Sequence, residues 1–166
     1  MKFTPGPGLG GHCIPIDPHY LSWKLKTLDY EARFIQLAGE INTNMPNHIL
    51  NLVSNSLNEL EKSLNGSKIL IIGVAYKKDI GDTRESPALD IIQLLLKSGG
   101  KVEYHDPFVS MLDYNNIKLH SLKKLDGPKL KNYDACVVVT DHSNIDYNKI
   151  YVNSPLIIDT RNVFAN

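Results

Sequence analysis

Cysteine is scarce in this chain of 166 residues: there are two, Cys13 and Cys136, in unrelated contexts. Two isolated thiols do not make a disulfide framework and fit a reducing cytoplasm. An excess of one charge is missing too, because 18 Lys and Arg balance 18 Asp and Glu. No bulk field draws in nucleic acid or an anionic membrane, so a bound phosphate needs local cations. No apolar run approaches the roughly 18 residues of a membrane span. The opening Met1-Lys2-Phe3-Thr4-Pro5-Gly6-Pro7 lacks the apolar region of a signal peptide. The six histidines (His12, His19, His48, His105, His120, His142) are scattered, with no ligand spacing beside either cysteine, so no metal site is expected.

Hydrophobic residues, at 42%, suffice for a core. Glycines 6, 8, 10 and 11 make the first 16 residues loop. Asp17-Pro18 has the form of an N-cap and first helical residue, predicting a helix from Pro18 towards Thr27. A second helix is expected over Glu31–Asn42, with Phe34, Leu37, Ala38 and Ile41 on one face. Pro46 restarts or kinks it, and its stripe continues through Ile49, Val53, Leu57 and Leu64 to a stop at Asn65-Gly66. That stripe needs a partner, either a neighbouring domain or a second copy of the chain. From Lys68 the pattern changes. Residues 69–74, 102–104, 135–139 and 156–158 have the composition of strands, and Ser86-Pro87 opens a helix that stops at Gly99-Gly100. Residues 108–133 yield only weak short elements. The expected fold is α/β: a helical segment over 1–65, followed by a Rossmann-like parallel sheet over 66–166.

Three stretches carry chemistry. In Gly8-Leu9-Gly10-Gly11-His12-Cys13-Ile14-Pro15-Ile16-Asp17-Pro18, a cysteine in a glycine loop gives a substrate close backbone access. The positive end of the following helix suits an anionic nucleophile. Asp17 can assist water chemistry or cap the helix, and a small buried cysteine beside a capping aspartate is the plain alternative. The second stretch, residues 76–87, follows a buried strand, where open α/β sheets bind ligands. Its Lys77, Lys78 and Arg84 precede a helix start and suit a phosphate or diphosphate; a solvated loop with local ion pairs is the alternative. After Gly73 come Val74, Ala75 and Tyr76, so the glycine fingerprint of an NAD site is absent. The third stretch, Asp159-Thr160-Arg161-Asn162, ends the last strand, and Arg161 there can grip a carboxylate or phosphate or sit in an ion pair.

Taken in order, residues 3–23, 32–46, 69–90 and 156–163 resemble the UDP-glucose/GDP-mannose dehydrogenase family across nearly the whole chain. The wording of the cysteine loop, with Ile16 where UDP-glucose enzymes have lysine, is most similar to UDP-N-acetylhexosamine enzymes. The resemblance implies a UDP-linked GlcNAc, ManNAc or GalNAc, oxidised at C6 to a uronic acid for surface polysaccharide with two NAD+. It makes Cys13 the nucleophile that forms a thiohemiacetal and then a thioester, and Asp17 the group that assists hydrolysis. Phe3, Gly10, Lys77 and Arg161 match positions that bind the nucleotide sugar, and Arg84 one that reaches NAD. The central helices match a homodimer element. The family's N-terminal NAD domain is missing from this sequence, so no turnover is expected of the chain alone. A non-catalytic UDP-sugar-binding or dimerisation module is the competing expectation.

Overall fold

The computed structural model describes residues 4–165. Helix α1 (Cys13–Lys26) starts five residues before the expected Pro18, and Asp17 lies inside it rather than capping it. Pro15 is tolerated because it falls in the first turn, where amides have no helical acceptor. Among the residues of α1 only Ser22 is buried, while Tyr20, Leu21 and Trp23 face outward.

Helix α2 (Arg33–Glu59) runs unbroken through Pro46, so of the restart or kink expected there the restart does not occur. Its 27 residues span about 40 Å. Proline supplies no amide, so the carbonyl of Asn42, four residues back, loses its helical donor. The stripe is real but only half covered. Pro46, Ile49, Val53 and Leu57 are buried, whereas Phe34 is 88% exposed and Leu37 and Ile41 also face outward. The helix stops before Asn65-Gly66, because Glu61 turns left-handed (φ 58°) and the amide of Lys62 returns to the Leu57 carbonyl. Gly66 instead docks on Gly99 through its amide.

Strands β1 (Lys68–Ile72), β2 (Lys101–His105), β5 (Ala135–Val138) and β6 (Ile157–Asp159) form one parallel sheet in the order β2-β1-β5-β6. In the central strands Ile69–Ile72 and Ala135–Val138 are buried on both faces, which is why their sequences are continuously apolar. Helix α3 (Pro87–Lys97), capped by Ser86 as expected, crosses from β1 to β2 and shares one face of the sheet with the second half of α2. The other face packs Leu70, Ile72, Cys136 and Val138 against Leu130 of α4 (Gly127–Leu130) and Ile150 of α5 (Tyr147–Asn153). Between β2 and α4 in the chain, β3 (Met111–Tyr114) and β4 (Ile117–His120) form a hairpin. Its turn residues, Asn115 and Asn116, both have positive φ, the pairing a tight two-residue hairpin needs.

Candidate functional site

The chain reverses its winding between β1 and β5, and ligands of open α/β sheets bind outside the strand ends at such a point. Four loops meet there: residues 73–86 after β1, Asp106 after β2, 139–146 after β5 and Thr160-Arg161 after β6. The glycine loop of residues 4–12 lies over them.

That docking explains the glycines. A Cβ on Gly10 would stand 2.6 Å from the Glu85 carbonyl oxygen and 2.7 Å from the Tyr76 Cβ. On Gly8, at φ 147°, it would meet Pro87 at 2.9 Å and the freed Asn42 carbonyl at 3.5 Å. The Gly11 amide donates to the Arg84 carbonyl at 3.2 Å. At the other end, Gly6 abuts the Arg161 guanidinium, 2.6 Å from a built Cβ. The first stretch is thus brought onto the second and third. Phe3 lies outside the described residues.

Cys13 is exposed at the first position of α1, and Asp17 is exposed one turn later on the same helical face. Behind them a groove of about 470 Å³ separates α1 from α2, lined by His19, Phe34, Ala38, Asn42, Glu85 and Pro87 among others. Arg84 grips Asp82 through Nε and Nη2, the shortest contact being 2.5 Å, and its Nη1 lies 3.3 Å from the His12 ring. The Arg84 side-chain hydrogen bonds hold the Asp82 carboxyl down at about 2, and the same contact pushes the Arg84 guanidinium up. Lys77 is exposed at the crest of its loop, and Lys78 lies 3.9 Å from Asp141. Arg161 has its Nε 3.1 Å from Asp141 Oδ1, the ion pair that is the plain reading of an arginine there.

Beneath this surface lies a network that no motif marked. Asp106, with a fully buried side chain, accepts the amides of Val74 (2.7 Å) and Ala75 (3.2 Å) on Oδ2 and those of Phe108 (2.8 Å) and Val109 (3.1 Å) on Oδ1. His142, also fully buried, has Nε2 3.0 Å from Asp106 Oδ2. Burial pushes the Asp106 carboxyl up, but hydrogen bonds from His142, Val74 and Phe108 outweigh it and leave it below the usual range. Position was the one available signal: Asp106 directly follows β2 and His142 lies in the loop after β5, both at the sheet's C-terminal edge. The described residues contain no group of three His, Cys, Asp or Glu side chains able to hold a metal, and no helix among them is long and apolar enough to cross a membrane.

Comparisons with known proteins point to one family. Residues 70–166 match the UDP-glucose/GDP-mannose dehydrogenase family, UDP binding domain, and residues 1–44 match that family's central domain. The chain is 36% identical over 168 aligned positions to a UDP-N-acetyl-D-mannosamine dehydrogenase of Methanococcus maripaludis, covering 96% of this chain and 36% of that protein. A namesake from Campylobacter jejuni is 35% identical over 83% of this chain and 33% of its own length. Among solved structures, the NDP-N-acetyl-D-galactosaminuronic acid dehydrogenase of Methanosarcina mazei superposes with a TM-score of 0.80 at 32% identity, covering 98% of this chain and 36% of that one. The chain spans little more than a third of the relatives it matches. On the family match and the shared fold, it belongs to the UDP-glucose/GDP-mannose dehydrogenase family.

Proposed function

We propose that this chain is the cysteine-bearing and nucleotide-holding part of an NAD-dependent UDP-N-acetylhexosamine 6-dehydrogenase. The observation that carries the reading is the docking of the cysteine loop, through Gly8, Gly10 and Gly11, onto residues 76–87 at the switch point of the sheet. Lys77 and Arg161 are the cations proposed for the diphosphate, and the Gly10 backbone is proposed to line the sugar side. Cys13 is proposed to add through Sγ to the C6 aldehyde: a C–S bond forms, the carbonyl oxygen takes a proton and a thiohemiacetal results. Asp17, one turn along the same face, is placed to move a proton to or from water when the later thioester is hydrolysed. Two unpaired cysteines suit a reducing, cytoplasmic setting.

The residues present do not fit NAD. A dinucleotide fold offers its pyrophosphate the open amides of the first strand-to-helix turn; here the amides of Val74 and Ala75 are taken by the Asp106 carboxylate. Arg84 alone is proposed to reach a cofactor held by other residues. Hydride transfer is therefore not assigned to this chain, and no turnover is expected from it in isolation. The outward apolar face of α1 and the first half of α2 suits a second copy of the chain, so we read residues 1–65 as a homodimer unit and 66–166 as the UDP-sugar unit.

Calorimetric titration of the chain with UDP and UDP-N-acetylhexosamines tests the reading. Binding that falls about tenfold or more in Lys77→Ala and Arg161→Ala is expected, since a hydrogen bond to a charged group is worth roughly 1.5–3 kcal/mol. No binding of UDP by the unaltered chain would sink it.

A further inference from the structure

We propose that His142 is a positioning residue: it clamps the loop that carries Lys77 by accepting the Asp79 amide, with its ring oriented by the buried Asp106 carboxylate. The inference rests on the reading of that loop as a diphosphate site and adds the group that holds it in shape.

Donor accounting fixes the histidine's state. The Asp79 amide lies 2.9 Å from His142 Nδ1 and can only donate, so Nδ1 carries a lone pair. The proton of the neutral ring is then on Nε2, which donates to Asp106 Oδ2 at 3.0 Å. Asp106 also accepts the Val74 and Ala75 amides, so a single carboxylate holds both the start of the loop and, through His142, its far side. Lys77 and Lys78 are the exposed crest between these two anchors.

The far anchor needs holding. Asp79 sits at φ 61°, the left-handed region that a β-carbon disfavours. Its carboxylate accepts the amide and hydroxyl of Ser143, each at 2.7 Å, and these bonds hold the carboxyl below its usual range. Ser143 immediately follows His142, so one short segment after β5 grips Asp79 at its amide and at its side chain. The Phe108 ring packs beside the fully buried imidazole, with centroids 5.0 Å apart. A lysine on a clamped loop meets an anion without first losing backbone freedom, which is the advantage of preorganisation.

Two substitutions separate positioning from a merely structural role. In His142→Asn the side-chain oxygen can take the place of Nδ1 and accept from Asp79, without reaching Asp106. In His142→Gln the amide nitrogen can take the place of Nε2 and donate to Asp106, leaving the Asp79 amide unpaired. The expected result is UDP affinity within about threefold of the unaltered chain for the asparagine variant and at least tenfold weaker for glutamine, with rapid hydrogen exchange at the Asp79 amide in the latter. Ser143→Ala, at an exposed contact that does not threaten folding, is expected to weaken UDP about threefold by loosening the same anchor. Equal losses in the asparagine and glutamine variants, tracking their urea stability, would overturn the proposal. So would unchanged Asp79 exchange in His142→Gln. A protected Asp79 amide in a chain that does not bind UDP would instead overturn the diphosphate reading, and the positioning role would fall with it.

Discussion

Replacing Asp106 by Asn changes one oxygen to an NH2 group and leaves the side chain's size the same. The carboxylate accepts three donors on Oδ2 (Val74 N, Ala75 N and His142 Nε2) and two on Oδ1 (Phe108 N and Val109 N). An amide has one oxygen to offer. Whichever way it turns, its NH2 faces at least two buried N–H groups, which lose their acceptor. A buried donor left unpaired costs about 1–3 kcal/mol, so the loss should be about 2–6 kcal/mol. That is a large part of the roughly 5–15 kcal/mol that stabilises a typical domain. With a urea dependence of about 2 kcal/mol per molar, a mid-range loss of about 4 kcal/mol lowers the unfolding midpoint by roughly 2 M. Urea denaturation at pH 7, followed by circular dichroism, measures it. A loss under about 1 kcal/mol would refute the reasoning, because it would mean that the five contacts do not all converge on this carboxylate in solution.

Gly10→Ala should undock the cysteine loop, since neither the Glu85 carbonyl nor the Tyr76 Cβ is the flexible end of a side chain; overpacking of about 1–3 kcal/mol should raise the rate of proteolysis within residues 4–12 at least fivefold. Gly6→Ala meets only the mobile tip of Arg161 and should change that rate little. The two thiols should differ: burial raises the Cys136 thiol to about 11, so at pH 8 an aromatic disulfide reagent should titrate Cys13 alone in the native chain and both in denaturant. Acid should destabilise the fold. Asp79, Asp82, Asp106 and Asp134 are all depressed, Asp82 to about 2, so below about pH 4 the unfolded chain binds more protons than the native one. Their contribution is complete above that pH and is lost as pH falls through the native values; Asp90, pushed up by burial and Glu85, opposes them singly. A urea midpoint that stays flat between pH 6 and 2 would contradict this.

The central strands were legible because a strand buried on both faces has no polar side to show, and Ile69–Ile72 and Ala135–Val138 are of that kind. Ser86-Pro87 was legible because a cap is local: its hydroxyl accepts the Ala88 amide two residues away. Asp17-Pro18 has the same local form, yet the helix begins at Cys13, where the docked glycine loop sets the starting direction of the chain. Pro46 looks like a breaker, but the buried run of Ile49, Val53 and Leu57 keeps α2 continuous through it. Composition also placed Lys77, Arg84 and Arg161 at strand ends. It could not show that Arg84 folds back on Asp82, nor that Asp106 finds His142 across 36 residues of chain. Those pairings depend on the strand order, which local patterns do not encode.

The Asp106 network also bears on what a Rossmann-like sheet can hold. In a dinucleotide site the amides after the first strand stay open and the helix start faces the phosphates. In this chain a carboxylate just past the C-terminal end of the neighbouring strand fills that position and accepts both amides, which leaves a buried negative charge beneath the loop. A phosphate cannot share those donors. In the proposed site the diphosphate is therefore met further out, by side-chain cations on a loop that the carboxylate and His142 hold rigid. The absent glycine fingerprint and the buried Asp–His pair are then two sides of one arrangement. Restoring glycines after Gly73 would not create NAD affinity while Asp106 occupies the amides. Removing Asp106 would free the amides only by loosening the loop that carries Lys77.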